Sequence, residues 1–173
     1  MQKYNGVSIF FHWLIAVLII GLLAVGLIMV DMPKPDKFTV YGWHKAFGII
    51  VLALVTLRLI WRLRHAPPSL PVGTPPRIEL AAKLGHAALY FLMFFMPLVG
   101  WLMSSAGGHP VSVFGLPIPP LVEKNEALGE LAEELHEIGG NAFIVLICLH
   151  LLAALYHQYV LKDGLLQRML PGK

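Results

Sequence analysis

Four long apolar stretches divide the chain, at Val7–Val30, Phe38–Leu63, Leu80–Met103 and Ile138–Leu161. Each exceeds the roughly 20 residues that a helix needs to cross the hydrocarbon core of a bilayer. The pattern predicts four transmembrane helices. The first runs too long for a cleavable signal peptide and has no small-residue cleavage site before Asp31–Met32–Pro33, so it reads as a retained helix. Between the spans the chain is polar and rich in proline. The first connection, Asp31–Thr39, holds Pro33 and Pro35 and cannot be helical throughout. The second, His65–Glu79, holds Pro67, Pro68, Pro71, Pro75 and Pro76 and reads as an extended crossing. The third, Ser104–Glu130, is the longest. It opens on Gly107–Gly108 and passes through Pro117–Ile118–Pro119–Pro120 into acidic residues from Glu123 to Glu137. Those acids are expected to begin the fourth helix ahead of the membrane, where they suit the positive end of its dipole. The predicted spans are then 7–30, 38–63, 80–103 and 134–161, in one domain over 1–173, with a short interfacial tail and no internal repeat. Trp13, Trp43, Trp61 and Trp101 fall near the predicted helix ends, where aromatic rings favour the lipid–water boundary.

Composition agrees with this pattern. Of 173 residues, 57% are hydrophobic and only 13% charged, against about 25% charged in a soluble domain. The mean hydropathy is +0.72. The formal net charge of +3 says less than its distribution. With helices alternating direction, one side collects Lys3, Arg58, Arg62, Arg64, Arg77, Lys83, Lys162, Arg168 and Lys173. The other collects Lys34, Lys37, Lys45 and Lys124 with most of the acids. The positive-inside rule puts the first side, and both termini, in the cytoplasm. Basic residues that hug helix ends, with no soluble module to present them, argue against nucleic-acid binding. Cys148, the single cysteine, excludes a disulfide within the chain and reads as a small buried hydrophobe. No C-x-x-C-H signature is present, so any haem would be non-covalent.

The candidate chemistry lies in the histidines. Five of the eight fall within or beside the spans: His12, His44, His86, His136 and His150. Ionisable residues inside a membrane are costly and usually face the bundle or a site. His136 and His150 are fourteen positions apart, almost four turns, so they share a helix face with roughly 21 Å between them. Two ligands on one helix, one towards each membrane surface, suit two stacked haems, whose iron is commonly held by axial histidine. Sorted by helix direction, His44 and His136 lie at the periplasmic level, and His12, His86 and His150 at the cytoplasmic level. The outer level thus offers one pair. The inner level offers three candidates for two places, and spacing does not choose among them.

Other residues fit a haem bundle. Gly48 follows His44 by one turn, and Gly139 and Gly140 follow His136, where glycine would let a flat macrocycle or a neighbouring backbone approach. Arg58, the deepest inner arginine, is the candidate partner for haem propionates, while Arg62, Arg77 and Lys83 read mainly as anchors. A dinuclear metal site would need ligands converging at one depth, and these histidines are widely spaced. His136–Glu137 is followed by Ile138–Gly139–Gly140, so a zinc hydrolase H-E-x-x-H helix is absent. No dinucleotide fingerprint and no iron–sulfur cysteines are present, so electrons would enter and leave through partners.

Phe11–His12–Trp13–Leu14, His44–Lys45–Ala46–Phe47–Gly48, Leu84–Gly85–His86, Leu135–His136 with His150 fourteen positions on, and the closing Lys162–Asp163–Gly164 to Met169–Leu170–Pro171 together resemble the bacterial cytochrome b561 family. That family is related to the cytochrome b subunits of nickel–iron hydrogenases and formate dehydrogenases. The resemblance covers nearly the whole chain. It implies an all-α integral membrane protein: a four-helix transmembrane bundle enclosing two non-covalent b-type haems, with both termini cytoplasmic. It implies that His12 and His150 hold the cytoplasmic haem iron and His44 and His136 the periplasmic one. His86 then becomes a candidate for a propionate hydrogen bond or a quinone contact. The resemblance implies an electron-transfer oxidoreductase working between the quinone pool, ubiquinone included, and a periplasmic partner. Some members are assigned as superoxide oxidases. The alternative is a haem-bearing anchor subunit of a larger dehydrogenase or hydrogenase-type complex, and a homo-oligomer is left open. His86, His157, Tyr156, Tyr159 and Lys83 at one end, and Tyr41, Trp101 and His109 at the other, are candidate quinone contacts.

Overall fold

The computed structural model describes residues 2–69, 73–170 and 172. Pro71, Pro171 and Lys173 lie outside the described residues. Four helices dominate: α1 (Gly6–Met29), α2 (Asp36–Arg64), α3 (Pro76–Ala106) and α4 (Glu126–Tyr156). All four are long and apolar enough to cross a membrane, with α4 continued to Leu161. Each starts where its sequence supplies a cap or a turn. The Asn5 side chain accepts the Ser8 N–H at 2.9 Å, and the Asn125 side chain accepts the Leu128 N–H at 3.1 Å, each satisfying a donor that the first turn leaves free. Pro76 opens α3, where its missing N–H costs nothing. The fourth helix does begin in the acidic stretch. It ends in a π-helical turn, His157–Leu161, and Lys162 then takes a left-handed conformation with φ 51°.

The fold is not purely helical. The third connection carries a two-stranded antiparallel sheet, β1 (Val111–Val113) against β2 (Leu116–Ile118), with Val113 opposite Leu116. Phe114 and Gly115 form the two-residue turn, with φ of 49° and 88°. Two positive φ values in a row give a hairpin turn whose twist matches that of the strands. Glycine takes such a conformation freely, whereas phenylalanine does so at a steric cost. Packing offsets that cost: the Phe114 ring lies 5.9 Å from Trp43 and 6.2 Å from Phe47, centre to centre.

The core is a small cluster drawn from all four helices: Ile15, Ile19, Val51, Val55, Leu92, Met93, Met96 and Phe143. About half of the other large apolar side chains are exposed, as suits helices whose outer surroundings are lipid. Cys148 is among the exposed residues, contrary to the expectation of burial, because its face of α4 turns away from the bundle. The helices pair as α1 with α2 and α3 with α4, and α2 lies against α3. Helix α4 makes its extensive contact with α3, and little with α1 or α2.

Both ends of the chain meet at one end of the bundle, where Arg168 joins them. Arg168 is 5% exposed. Its Nε donates to the Gln2 carbonyl at 2.9 Å and its Nη2 to the Ser69 carbonyl at 2.7 Å. Its own carbonyl accepts the Tyr4 N–H at 3.1 Å. The Trp13 Nε1 donates to the Met169 carbonyl at 2.7 Å. One side chain in the tail therefore holds the N-terminal segment and the second connection. Nearby, the Asp163 carboxylate pairs with His157 Nδ1 and accepts the Leu165 N–H at 3.0 Å. Burial pushes the Asp163 pKa up, but these hydrogen bonds outweigh it and hold the carboxyl below its usual range. Because charge-assisted hydrogen bonds contribute about 1.5–3 kcal/mol each, Arg168→Ala is expected to cost about 3 kcal/mol. Limited proteolysis should then cut the N-terminal segment at lower protease concentration. Arg168→Lys should recover only part of the loss, since an ammonium lacks the fork that spans two carbonyls.

Candidate functional site

The bundle brings the in-span histidines together at two levels. At the end near the hairpin, His44 from α2 faces His136 from α4, with ring centres 6.4 Å apart. At the end where the termini meet, His12 from α1 faces His150 from α4 at 6.3 Å. Two imidazole rings that hold one metal ion from opposite sides, each through a bond of about 2 Å and with its centre about 1 Å further out, have centres about 6 Å apart. Both pairs have that separation. His86 from α3 also reaches His150, at 5.8 Å, so the inner level is a cluster of three rings with His150 in the middle.

Three observations test whether a flat, apolar, iron-centred group fits here. The Nδ1 atom of His44 is buried and has no hydrogen-bond partner. A buried imidazole nitrogen left without a partner is costly, and ligation or a partner supplied with a cofactor would relieve that cost. Next, α4 packs closely on α3 and approaches α1 and α2 less closely, through Phe143 of the core and the two histidine pairs, which leaves space for a macrocycle at the histidine levels. Finally, Gly48 faces open space, since a Cβ there would meet nothing within 4 Å. The residues at the His44–His136 level fit a haem.

The glycines divide the work in a way the sequence reading did not resolve. Gly139 is a helix-packing position: a Cβ there would lie 2.6 Å from Met96 Sδ and 3.2 Å from Phe95 Cε1. Gly100 and Gly26 were not singled out in the sequence, yet they back the outer histidine pair. A Cβ on Gly100 would stand 3.0 Å from His136 Cε1, and one on Gly26 would stand 3.5 Å from His44 Cε1. Their small size gives the rings room to face one another. Glycines at the depth of a histidine on a neighbouring helix are the signal that could have found them.

At the inner level Arg58 donates from Nη2 to His12 Nδ1 at 3.2 Å. Arg58 and Arg62 each lie 5.4 Å from the centre of the Tyr90 ring. Both line a cavity of about 270 Å³ that also takes in Lys3, Tyr4 and His65. Its lining holds several cations and no carboxylate, which suits an anionic group such as a propionate. At the outer level Lys45 Nζ donates to Ser104 Oγ at 3.1 Å, a link between α2 and the end of α3 that the sequence reading passed over.

The other candidate contacts scatter. Trp101 Nε1 donates to the Pro119 carbonyl at 3.1 Å and so anchors the third connection. Tyr41 lies under Lys37, 5.4 Å from Nζ to ring centre. Tyr156 and Tyr159 are exposed, and Lys83 pairs with Glu79 on the helix surface. His109 rests against Gly107. Among the described residues, no three His, Cys, Asp or Glu side chains converge on one metal-binding point.

Known proteins match this chain over nearly its whole length. The family model described as prokaryotic cytochrome b561 matches residues 3–172. Cytochrome b561 homolog 2 of Escherichia coli K12 is 36% identical, over 98% of this chain and 92% of its own length. A probable superoxide oxidase, CybB, of Yersinia pestis is 31% identical, over 99% of this chain and 98% of its own. Cytochrome b561 homolog 1 of Escherichia coli K12 is also 31% identical, over the whole of this chain and 99% of its own. A family match over nearly the full length, on a bundle with paired histidines and four membrane-length helices, implies a multi-pass bacterial membrane cytochrome that binds b-type haem. The chain belongs to the prokaryotic cytochrome b561 family.

Proposed function

We propose that this protein is a dihaem b-type cytochrome of the bacterial inner membrane that carries electrons between the quinone pool and a periplasmic redox partner. The observation that carries this reading is the facing of two histidine pairs at 6.3 and 6.4 Å, with both α4 members on one helix face. His44 and His136 hold the haem iron on the periplasmic side, and His12 and His150 hold it on the cytoplasmic side. Arg58 serves the propionates of the cytoplasmic haem, and His86, beside His150, orients that ring or meets a quinone. The side with the termini is cytoplasmic, because the basic residues gather there. Haem held by these histidines would supply a one-electron iron couple.

The chain's own residues then have three tasks. The histidines fix the ring planes and the spacing of the two levels. The apolar core between the levels, with Val55 fully buried and Phe143 4% exposed, keeps water from the path. The inner cations hold negative charge near the cytoplasmic surface. The name of the Yersinia relative makes superoxide the periplasmic donor to test first, with ubiquinone as acceptor. The alternative, an anchor subunit of a larger dehydrogenase, has less to rest on, because the connections between spans are short and offer little docking surface.

The test is a haem count by pyridine haemochrome on detergent-purified protein, with a dithionite-reduced spectrum. Two b-type haems per chain are expected. One or none would overturn the dihaem reading. Reduction of the loaded protein by superoxide no faster than in buffer controls would remove superoxide as the donor.

A further inference from the structure

Asn141 lies on α4 five positions beyond His136 and nine before His150. At about 100° per residue it points away from the face that carries both histidines, so it belongs to no cofactor level. It is exposed, and among the described residues no hydrogen bond reaches its amide. The side chain opens into a lateral groove of about 540 Å³ between α3 and α4, lined also by Phe91, Leu92, Val145, Leu146 and Leu149. Phe91 and Leu92 stand midway along α3 between Lys83 and Trp101. The amide is therefore about 12–15 Å from either membrane surface, in the middle of the hydrocarbon.

The apolar lining alone predicts nothing, since lipid tails are as apolar as leucine and give two such faces no reason to meet. The amide is different. It carries two donors and an acceptor, and acyl chains supply partners for none of them. Asparagine is self-complementary: across a two-fold axis along the membrane normal, each carbonyl accepts from the other amide, giving two reciprocal hydrogen bonds. Cys148, seven positions on and also exposed, continues the same stripe towards the inner surface. The groove beside Asn141 has room for apolar side chains from a second copy.

We propose that the α3–α4 groove is a self-association face and that Asn141 of one copy bonds to Asn141 of a second copy of this chain. The inference is independent of the haem assignment, because this face is opposite the histidines.

Sedimentation in mild detergent and energy transfer between labelled copies in liposomes test it. The native protein is expected to be a dimer, with Asn141→Leu weakening dimerisation at least about tenfold and Asn141→Gln retaining it. As a check that does not depend on removing the amide, Asn141→Cys in a Cys148→Ser background should form a cross-linked dimer on mild oxidation of membranes. The haem spectrum per chain should be unchanged in the Leu variant, which separates loss of the interface from loss of the fold. A monomeric native protein, an Asn141→Leu protein as dimeric as the native one, or no cross-link would each overturn the proposal. Those results would leave the groove to lipid or to an isoprenoid tail.

Discussion

His150→Ala is expected to purify with one haem in place of two, and the surviving haem should keep its native reduced spectrum. The reasoning is geometric. His150 is the one member of the inner cluster that lies against both other rings, 6.3 Å from His12 and 5.8 Å from His86, so its loss removes an axial ligand under either pairing. The outer pair on α2 and α4 is fourteen positions away, roughly 21 Å along the helix, and shares no ring with the inner cluster. His136→Ala should give the mirror result. The companion variants settle the partner. Under the proposed pairing, His12→Ala loses the inner haem and His86→Ala keeps it with a shifted potential. Two haems retained in His12→Ala together with one lost in His86→Ala would transfer the ligand role to His86. Two haems in His150→Ala would show that His150 is not an inner ligand and that the exclusion of His86 is mistaken.

Gly139→Leu is expected to be the most damaging single change in the bundle outside the histidines. Gly139 is buried and sits where α4 crosses α3, with the site of a Cβ only 2.6 Å from Met96 Sδ. Met96 is itself 8% exposed and part of the core cluster, so its thioether has little free space to enter. Phe95 blocks the other side at 3.2 Å. Overpacking a tight core typically costs about 1–3 kcal/mol, and an isobutyl group at this contact should reach or exceed the top of that range. Because His136 precedes Gly139 by three positions, the displacement should also tilt the outer pair. The expected observation is a lower midpoint of thermal unfolding, with loss of the outer haem before the inner one. A Gly139→Leu protein with native melting and two haems would show that α3 and α4 do not cross as described. Gly140→Ala serves as the control, since a Cβ there meets Met96 Cε at an ordinary 3.7 Å.

Much of the architecture was legible in the chain because lipid imposes a simple requirement. A span must be apolar, long and internally hydrogen-bonded, and that constraint alone located the four helices to within a few residues on most sides. Their ends were less legible. Helix α3 begins at Pro76, four residues before the apolar run, since proline at a first turn favours a helix rather than ending one. The hairpin was hidden by the prolines at 117, 119 and 120, although Val111–Ser112–Val113 before Phe114–Gly115 carries the β-branched residues and the glycine of a tight turn. The histidine levels followed from helix direction, and the structure pairs the rings at those levels. Arg168 was read as one more cation near a helix end. Its role depends on carbonyls at Gln2 and Ser69, and no pattern in sequence shows which distant carbonyls will meet a side chain. Cys148 was misjudged because hydrophobic type says nothing of which side of a membrane helix faces the protein.

The way the helices pair has a consequence for how the protein is made. With α1 and α2 forming one antiparallel hairpin and α3 and α4 another, α4 meets α1 and α2 only through a few core side chains and the histidine pairs, so the seam that carries the histidines is the loosest in the bundle. A ligand that binds only the closed arrangement stabilises it by an amount that rises with the logarithm of its free concentration. The amount of mature protein in a cell should therefore follow the supply of haem, and chains synthesised without it should present a splayed pair of hairpins to membrane proteases.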